Sequence, residues 1–227
     1  MSFGDSALNF LKNLEADFKL PAGVSCLLPF SDPAVVKINK VFYKKFYNDT
    51  LVRKMIIGIN PGRFGAGVTG ISFTDPIKLE TELGIPNDFK KRSELSSDFI
   101  YDVIRSYGGP ELFYRSFYVT AVSPIGFIKD NKNINYYENK ILNNELEKFI
   151  VNCLNKQLKF GIDRSVAFCL GEGENFKFLK KLNEKYLFFE KIIPLAHPRF
   201  IMQYRRKTSN EFVKNYINAF RETPDAF

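Results

Sequence analysis

Apolar residues along the chain follow two kinds of spacing. Where they recur every three or four positions, as at Phe212, Tyr216 and Phe220, they predict amphipathic helices. Asp32 precedes Pro33 and is expected to cap the helix that begins there, because an aspartate accepts hydrogen bonds from the free N–H groups of a first turn. Further helices are predicted over residues 5–18, 94–107, 136–158, 172–186 and 208–221.

Short and nearly continuous apolar runs separate these helices, and they predict buried strands over residues 53–59, 117–122, 164–171 and 187–196. Such runs, alternating with helices, are typical of a parallel sheet that is covered on both faces. The pattern therefore predicts an α/β fold with three layers, α-β-α, around a central four-stranded, mostly parallel sheet. We expect one domain over residues 1–227, with a long loop between the first strand and the helix at 94–107.

The composition excludes several classes of protein. The 227 residues, of which 45% are apolar, suit a globular chain with a sizeable core. No apolar run is long enough to cross a bilayer, and the first residues lack the pattern of a secretory signal. Three separate cysteines and one histidine are too few for a metal site of the usual kinds. We therefore expect an intracellular monomer without metal, cofactor or membrane contact.

The charge balance adds a preference for a partner. Lysine and arginine number 33 and aspartate and glutamate 25, so the formal net charge is +8. This balance favours a polyanionic partner, although many basic proteins bind no nucleic acid. Arg205, Arg206 and Lys207 form a local basic cluster near the C-terminus.

A glycine-rich segment, KMIIGINPGRFGAGVTGISF at residues 54–73, includes the first predicted strand. It matches neither of the two common phosphate-binding patterns, so a nucleotide site is not supported. Asn60, Ser123 and His197 each follow a predicted strand. Because the carboxyl ends of parallel strands open onto one edge of a sheet, we expect these side chains to converge there. Taken alone, Asn60 also fits a plain turn and His197 a structural role.

Two motifs together resemble those of a known family. GINPGRFGAGVTGISF has the pattern NPG-x-FG-x₃-TG-x₂-F, and AHPRF places an HP pair before a basic and an aromatic residue. Their order and spacing resemble the uracil-DNA glycosylase superfamily, most closely a bacterial branch akin to the single-strand-selective monofunctional enzymes. LPFSDPAVVKINKVFYKKFYND at residues 28–49 is similar to the N-terminal helix of those enzymes, so the resemblance spans most of the chain.

This resemblance implies a monofunctional DNA glycosylase of the bacterial cytoplasm, at the nucleoid, which hydrolyses the N-glycosidic bond of uracil in single- or double-stranded DNA and leaves an abasic site. The family's matching Asn holds a water and its His donates to the base, so Asn60 and His197 are the implied catalytic residues. The implied base-binding residues are Gly58, Ile59, Pro61, Gly62, Phe64, Gly65, Phe73 and Ser123, with Phe73 as the stacking ring. The implied DNA-binding residues are Pro198, Arg199, Phe200, Arg205, Arg206 and Lys207.

The sequence departs from the family at one position of the second strand. Where the single-strand-selective enzymes carry an Asn that reads the edge of uracil, this chain has Ala121, and either Thr120 or Ser123 is available as a substitute. A pocket without that amide should discriminate bases less sharply, so we expect tolerance of xanthine or hypoxanthine. Asp75 has no family counterpart, and it either caps a helix after Pro76 or reaches the pocket.

Two other functions remain open at this point. The chain could be a nucleic-acid-binding module that kept the fold and lost the activity. It could also be a small-molecule hydrolase in which His197 activates Ser123, although the G-x-S-x-G setting of a typical serine nucleophile is missing.

Overall fold

A four-stranded parallel sheet lies at the centre of the computed structural model, which describes residues 1–223. The last four residues of the predicted domain lie outside this range. The strands of the chain are β1 (Val24–Leu27), β2 (Arg53–Gly58), β3 (Phe117–Ala121), β4 (Gly126–Lys129), β5 (Lys132–Ile134), β6 (Ile162–Leu170) and β7 (Lys191–Leu195). The central sheet has the order β3-β2-β6-β7, and each neighbouring pair is parallel.

The helices are α1 (Phe3–Lys12), α2 (Pro33–Phe46), α3 (Ala66–Thr69), α4 (Pro76–Thr81), α5 (Leu95–Tyr107), α6 (Pro110–Ser116), α7 (Lys140–Leu158), α8 (Glu174–Tyr186), α9 (Pro198–Tyr204) and α10 (Ser209–Arg221). Short 3₁₀ turns cover Pro29–Ser31 and Arg206–Thr208. Asp32 caps α2 as predicted, since its carboxylate accepts from the N–H of Ala34 at 2.8 Å. In the described part of the chain, no helix is both long and apolar enough to cross a membrane.

Helices cover both faces of the central sheet. Neighbouring residues of a strand point to opposite faces, and β3 shows this directly. The ring of Phe117 packs on Phe220 of α10, with centroids 4.6 Å apart, whereas the next residue, Tyr118, packs on Phe3 of α1 at 5.3 Å. The predicted three-layer α-β-α fold is therefore confirmed. The carboxyl ends of β2 and β3 lie side by side, with Gly58 opposite Ala121.

A second, three-stranded antiparallel sheet, β1-β4-β5, was not expected. Its strands are only three or four residues long, and the apolar pattern gives little signal over so few positions. The β4–β5 turn does carry a local signal, because Asp130 and Asn131 have φ angles of 48° and 57°. Asp and Asn tolerate this left-handed conformation, which a two-residue hairpin turn requires. The hairpin matters because it reaches over the end of β2.

Several predicted boundaries are wrong. The first helix ends at Lys12 instead of residue 18. Directly after Lys12, the side chain of Asn13 donates to the carbonyl of Asn9 at 2.8 Å and caps the last turn. The helix predicted from residue 136 begins at Lys140, because Asn139 accepts from the backbone N–H groups of Ile141 and Leu142 and fixes the start. The long loop after β2 also contains α3 and α4.

Candidate active site

Asn60 follows β2 and is held at both ends of its side-chain amide. Its Oδ1 accepts from the backbone N–H of Tyr136 at 3.2 Å, and its Nδ2 donates to the carbonyl of Ile134 at 3.3 Å. Both partners belong to the end of β5 and the residues just after it. The amide orientation is therefore set by the hairpin backbone. A carbonyl oxygen has two lone pairs, so Oδ1 keeps one with which to hold a water.

Phe73 lines the same pocket as Asn60, at the end of β2. Its φ is 52°, an outlier for a bulky residue that costs about 1–3 kcal/mol and is found mainly at functional sites. The ring lies against Gly58, so that a Cβ at this glycine would be 2.8 Å from Cζ of Phe73. The centroid of the ring is 6.2 Å from that of His197. Because residue 58 is a glycine, the Phe73 ring has room to form one wall of the pocket.

His197 follows β7 and caps α9. Its Nδ1 accepts from the backbone N–H of Arg199 at 3.2 Å, so the proton of the neutral ring is on Nε2. Burial lowers the pKa of His197 to about 4, and the Arg199 guanidinium adds to the effect. The imidazole is therefore neutral at pH 7, and its Nε2–H is a hydrogen-bond donor that carries no charge.

These side chains line one pocket at the carboxyl edge of the sheet. The predicted residues on its wall are Gly58, Ile59, Asn60, Pro61, Gly62, Phe73, His197 and Arg199. Residues that the sequence did not single out complete the wall, namely Ala66, Ser72, Glu94, Ser96, Asn133 and Asn135, together with Thr120 and Ala121. The expected convergence of Asn60 and His197 is thus present in the structure.

Ser123 is a correction to the predicted site. It is fully buried, its hydroxyl donates to the carbonyl of Ile125 at 2.8 Å, and it is absent from the pocket wall formed by the described residues. The carbonyl of Ile125 is within reach of the Ser123 hydroxyl because the chain turns at Pro124, shortly after β3. A nucleophilic role with His197 therefore has no geometric basis. Pro198 is likewise buried, in the first turn of α9, where it shapes the start of that helix instead of facing DNA.

Phe64 and Gly65 lie next to the pocket rather than on its wall. Two guanidinium groups lie near the Phe64 ring, with Cζ of Arg63 at 4.5 Å and Cζ of Arg92 at 3.5 Å from its centroid. These residues line a groove beside the pocket, together with Lys132. Gly65 is buried against the carboxyl group of Glu94, and a Cβ at this position would overlap its Oε2.

Two alternatives left open by the sequence are resolved by the contacts. Asp75 caps α4, because its Oδ1 accepts from the N–H groups of Ile77 and Lys78, each at 2.9 Å. Its other oxygen accepts from the backbone N–H of Glu94 at 3.0 Å, so Asp75 fixes the loop behind the pocket without lining it. Thr120 does reach the pocket wall, but its hydroxyl donates to Oε1 of Gln157 at 2.7 Å.

The surface that adjoins the pocket is basic and aromatic. Phe200 and Tyr204 of α9 are 45% and 62% exposed, and their ring centroids lie 5.6 Å apart. Cζ of Arg205 is 5.8 Å from the Phe200 ring. The exposed side chains of Arg199, Arg206 and Lys207 belong to the same segment. Exposed aromatic rings among basic residues are a common arrangement for binding a nucleic-acid strand.

Glu94 is the titratable residue of the pocket that the sequence did not reveal. Burial raises its pKa to about 7, the Asp75 carboxylate adds to this effect, and Arg199 opposes it. Glu94 lies 34 positions beyond Asn60 at the end of a polar loop, so no spacing rule connects the two. Within residues 1–223, no group of three His, Cys, Asp or Glu side chains could hold a metal ion.

The fold and this pocket define a DNA glycosylase, and comparison with known proteins agrees. The family model of the uracil DNA glycosylase superfamily matches residues 44–221. The chain therefore belongs to the uracil DNA glycosylase superfamily. Among solved structures it is similar to wild-type SMUG2 from Pedobacter heparinus, with 44% sequence identity over 98% of each chain and a TM-score of 0.95. A search of curated proteins gave no match.

Proposed function

We propose that the protein is a monofunctional glycosylase that removes uracil from DNA by hydrolysis and tolerates xanthine or hypoxanthine. The observation that carries the proposal is the convergence of Asn60, Phe73 and His197 around one pocket, beside the basic and aromatic surface of α9. SMUG2 of Pedobacter heparinus, with 44% sequence identity, supports a uracil-directed activity through its family.

The first step of the proposed reaction is extrusion of the base from the helix into the pocket. Phe73 stacks on the base, and such stacking contributes about 1–3 kcal/mol. The glycines of β2 and its loop let the flat base approach the main chain. Phe200 and Tyr204 are placed to occupy the space that the base leaves, while Arg205, Arg206 and Lys207 contact phosphates.

Bond cleavage leaves negative charge on the base and positive charge on the sugar. The neutral Nε2–H of His197 is a suitable donor to the base oxygen on which the negative charge grows. With a pKa of about 4, the His197 ring is uncharged near neutral pH, and its Nε2–H donates without carrying a charge. Asn60 cannot act as a base, since an amide does not take up a proton at neutral pH, but its fixed Oδ1 can orient the attacking water.

A lyase reaction would need an amine that forms a Schiff base with the sugar. No lysine is present among the described residues that line the pocket, which supports a monofunctional enzyme. We further propose that the protein acts as a monomer on chromosomal DNA, which predicts a solution mass near 26.2 kDa by light scattering.

The test uses labelled oligonucleotides, single- and double-stranded, each with one uracil, xanthine or hypoxanthine. Alkali-sensitive breaks are expected with the wild type and should be lost in Asn60→Ala and His197→Ala. Asn210→Ala, at an exposed position of α10, is the matched control and should cleave normally. Binding without any breaks would favour an inactive nucleic-acid-binding module and would contradict the proposal.

A further inference from the structure

The pocket lacks the amide that the family resemblance leads one to expect on β3. Ala121 offers only a methyl group, and the hydroxyl groups of its neighbours Thr120 and Ser123 donate within the protein. Among the other polar residues of the wall, Asn133 uses its Oδ1 to accept from the backbone N–H of Arg63, and Asn135 uses its Nδ2 to donate to Glu138. No side-chain amide of the described pocket wall therefore has both its donor and its acceptor free to read the base.

The carboxyl group of Glu94 is free for this role. Glu94 occupies the N-cap position of α5 without capping the helix through its side chain. Its main chain is fixed, because its N–H donates to Asp75 and its carbonyl accepts from Asp98, each at 3.0 Å. The side-chain oxygens accept no hydrogen bond from any described residue, and they lie beside the loop of Gly62 and Gly65 in the pocket wall. A side chain at Gly65 would remove the space that the carboxyl group fills.

The charges around Glu94 decide its protonation state when DNA is bound. Asp75 and Asp98 favour the neutral acid, and Arg199 from α9 favours the carboxylate. His197 is neutral, and the adjoining groove carries Arg63, Arg92 and Lys132, which DNA phosphates would neutralise. Phosphates near the pocket and the exclusion of water by the base both disfavour a carboxylate. Both effects shift Glu94 towards the neutral acid in the complex.

A neutral carboxylic acid matches the edge that deaminated bases share. Uracil, xanthine and hypoxanthine each present a carbonyl next to a ring N–H. The acid donates its O–H to that carbonyl and accepts the ring N–H on its other oxygen, which makes two hydrogen bonds. A carboxylate has no proton to donate, and it would repel the negative charge that grows on the leaving base.

Resting on the function proposed above, we propose that Glu94 in its protonated form reads this edge of the extruded base and replaces the amide missing at Ala121. The same pair of groups is present in all three deaminated bases, which accounts for a broad base range. Cytosine and adenine carry an amino group where these bases carry the carbonyl.

The experiment measures single-turnover excision of uracil between pH 5.5 and 9 for the wild type, Glu94→Ala and Glu94→Gln. We expect Glu94→Ala to lose about 10- to 100-fold at pH 6, the value of a two-bond contact to a base edge. Glutamine keeps a donor and an acceptor, so Glu94→Gln should recover most of that loss. The wild-type rate should fall as the pH rises above about 7, whereas the Glu94→Gln rate should not. Glu111→Gln, at an exposed position of α6, is the matched control.

A second substrate separates base reading from a purely structural role. N3-methyluracil lacks the ring N–H, so the wild type should prefer uracil over it and Glu94→Ala should lose that preference. The inference would be overturned if wild-type activity rises through pH 7 and Glu94→Gln is as weak as Glu94→Ala. That result would mean that Glu94 acts as a carboxylate. Equal rates in the wild type and Glu94→Ala would also overturn it. If the wild type excises none of the bases, the proposed function itself fails.

Discussion

The stability of Glu94→Gln as a function of pH tests the charge state of the pocket without any substrate. The pKa of Glu94 rises from its ordinary value of 4.5 to about 7 in the folded protein. One pKa unit corresponds to about 1.4 kcal/mol, so ionising this carboxyl group destabilises the fold by at most about 3.5 kcal/mol. Because the side chain keeps some contact with solvent in the pocket, we expect about 1–3 kcal/mol in practice.

The sign follows from the direction of the pKa change. Below pH 4.5 Glu94 is protonated in both states, so the wild type and Glu94→Gln should be equally stable. Between pH 4.5 and about 7 the unfolded state releases its proton first, and the wild type loses stability relative to the variant. Above pH 7.5 the difference should be complete, and the variant should melt about 2–12 °C higher, at about 2–4 °C for each kcal/mol.

Guanidinium chloride unfolding at pH 4.5, 6, 7 and 8.5, followed by circular dichroism, measures this difference. Glu111→Gln removes one exposed carboxylate outside the pocket and controls for the change in net charge. A gap between the wild type and Glu94→Gln that stays constant from pH 4.5 to 8.5 would refute the reasoning. Such a result would mean that the carboxyl group is solvated like an ordinary surface glutamate.

Other predictions concern excision and DNA binding. Gly58→Ala should slow uracil excision about 10- to 100-fold, because its Cβ would meet Cζ of Phe73 at 2.8 Å and displace the stacking ring. An unchanged rate would contradict the placement of Phe73 against the base. The pKa of His197 is about 4, so no His197 protonation step should appear between pH 5.5 and 8 in the pH–rate profile of Glu94→Gln. A histidine signal that titrates near pH 6.5 by NMR would show the ring to be solvated. Arg206→Ala should reduce the slope of log affinity against log salt by about 1 and leave the melting temperature unchanged, since the side chain is exposed. An unchanged slope would place Arg206 away from the phosphates.

The regular part of the fold was readable because its apolar patterns are long or continuous. The helix predicted over 94–107 is Leu95–Tyr107 and the one predicted over 208–221 is Ser209–Arg221, since both bury one face over about four turns. β2 is buried along its whole length, and the apolar run from Met55 to Ile57 indicated this strand. Short strands of the second sheet gave no comparable pattern, because none of them buries more than two residues.

By itself, the sequence determined the three-layer fold and placed Asn60 and His197 at strand ends, where a parallel sheet opens onto one edge. It also supplied the paired motifs through which the family could be recognised. What it could not determine depends on contacts between distant segments. The Asn60 side chain donates to Ile134 and accepts from Tyr136 only because an unpredicted hairpin folds over β2.

Tertiary structure alone decided the chemistry of the remaining pocket residues. Ser123 was expected in the pocket, but the turn after β3 points its hydroxyl to a backbone carbonyl. Nothing in the sequence distinguished Glu94, yet burial beside Gly65 and the nearby Asp75 carboxylate raise the pKa of its carboxyl group to about 7. A pKa depends on local burial and on neighbouring charges, and both are set by which segments meet in space rather than by their order in the chain.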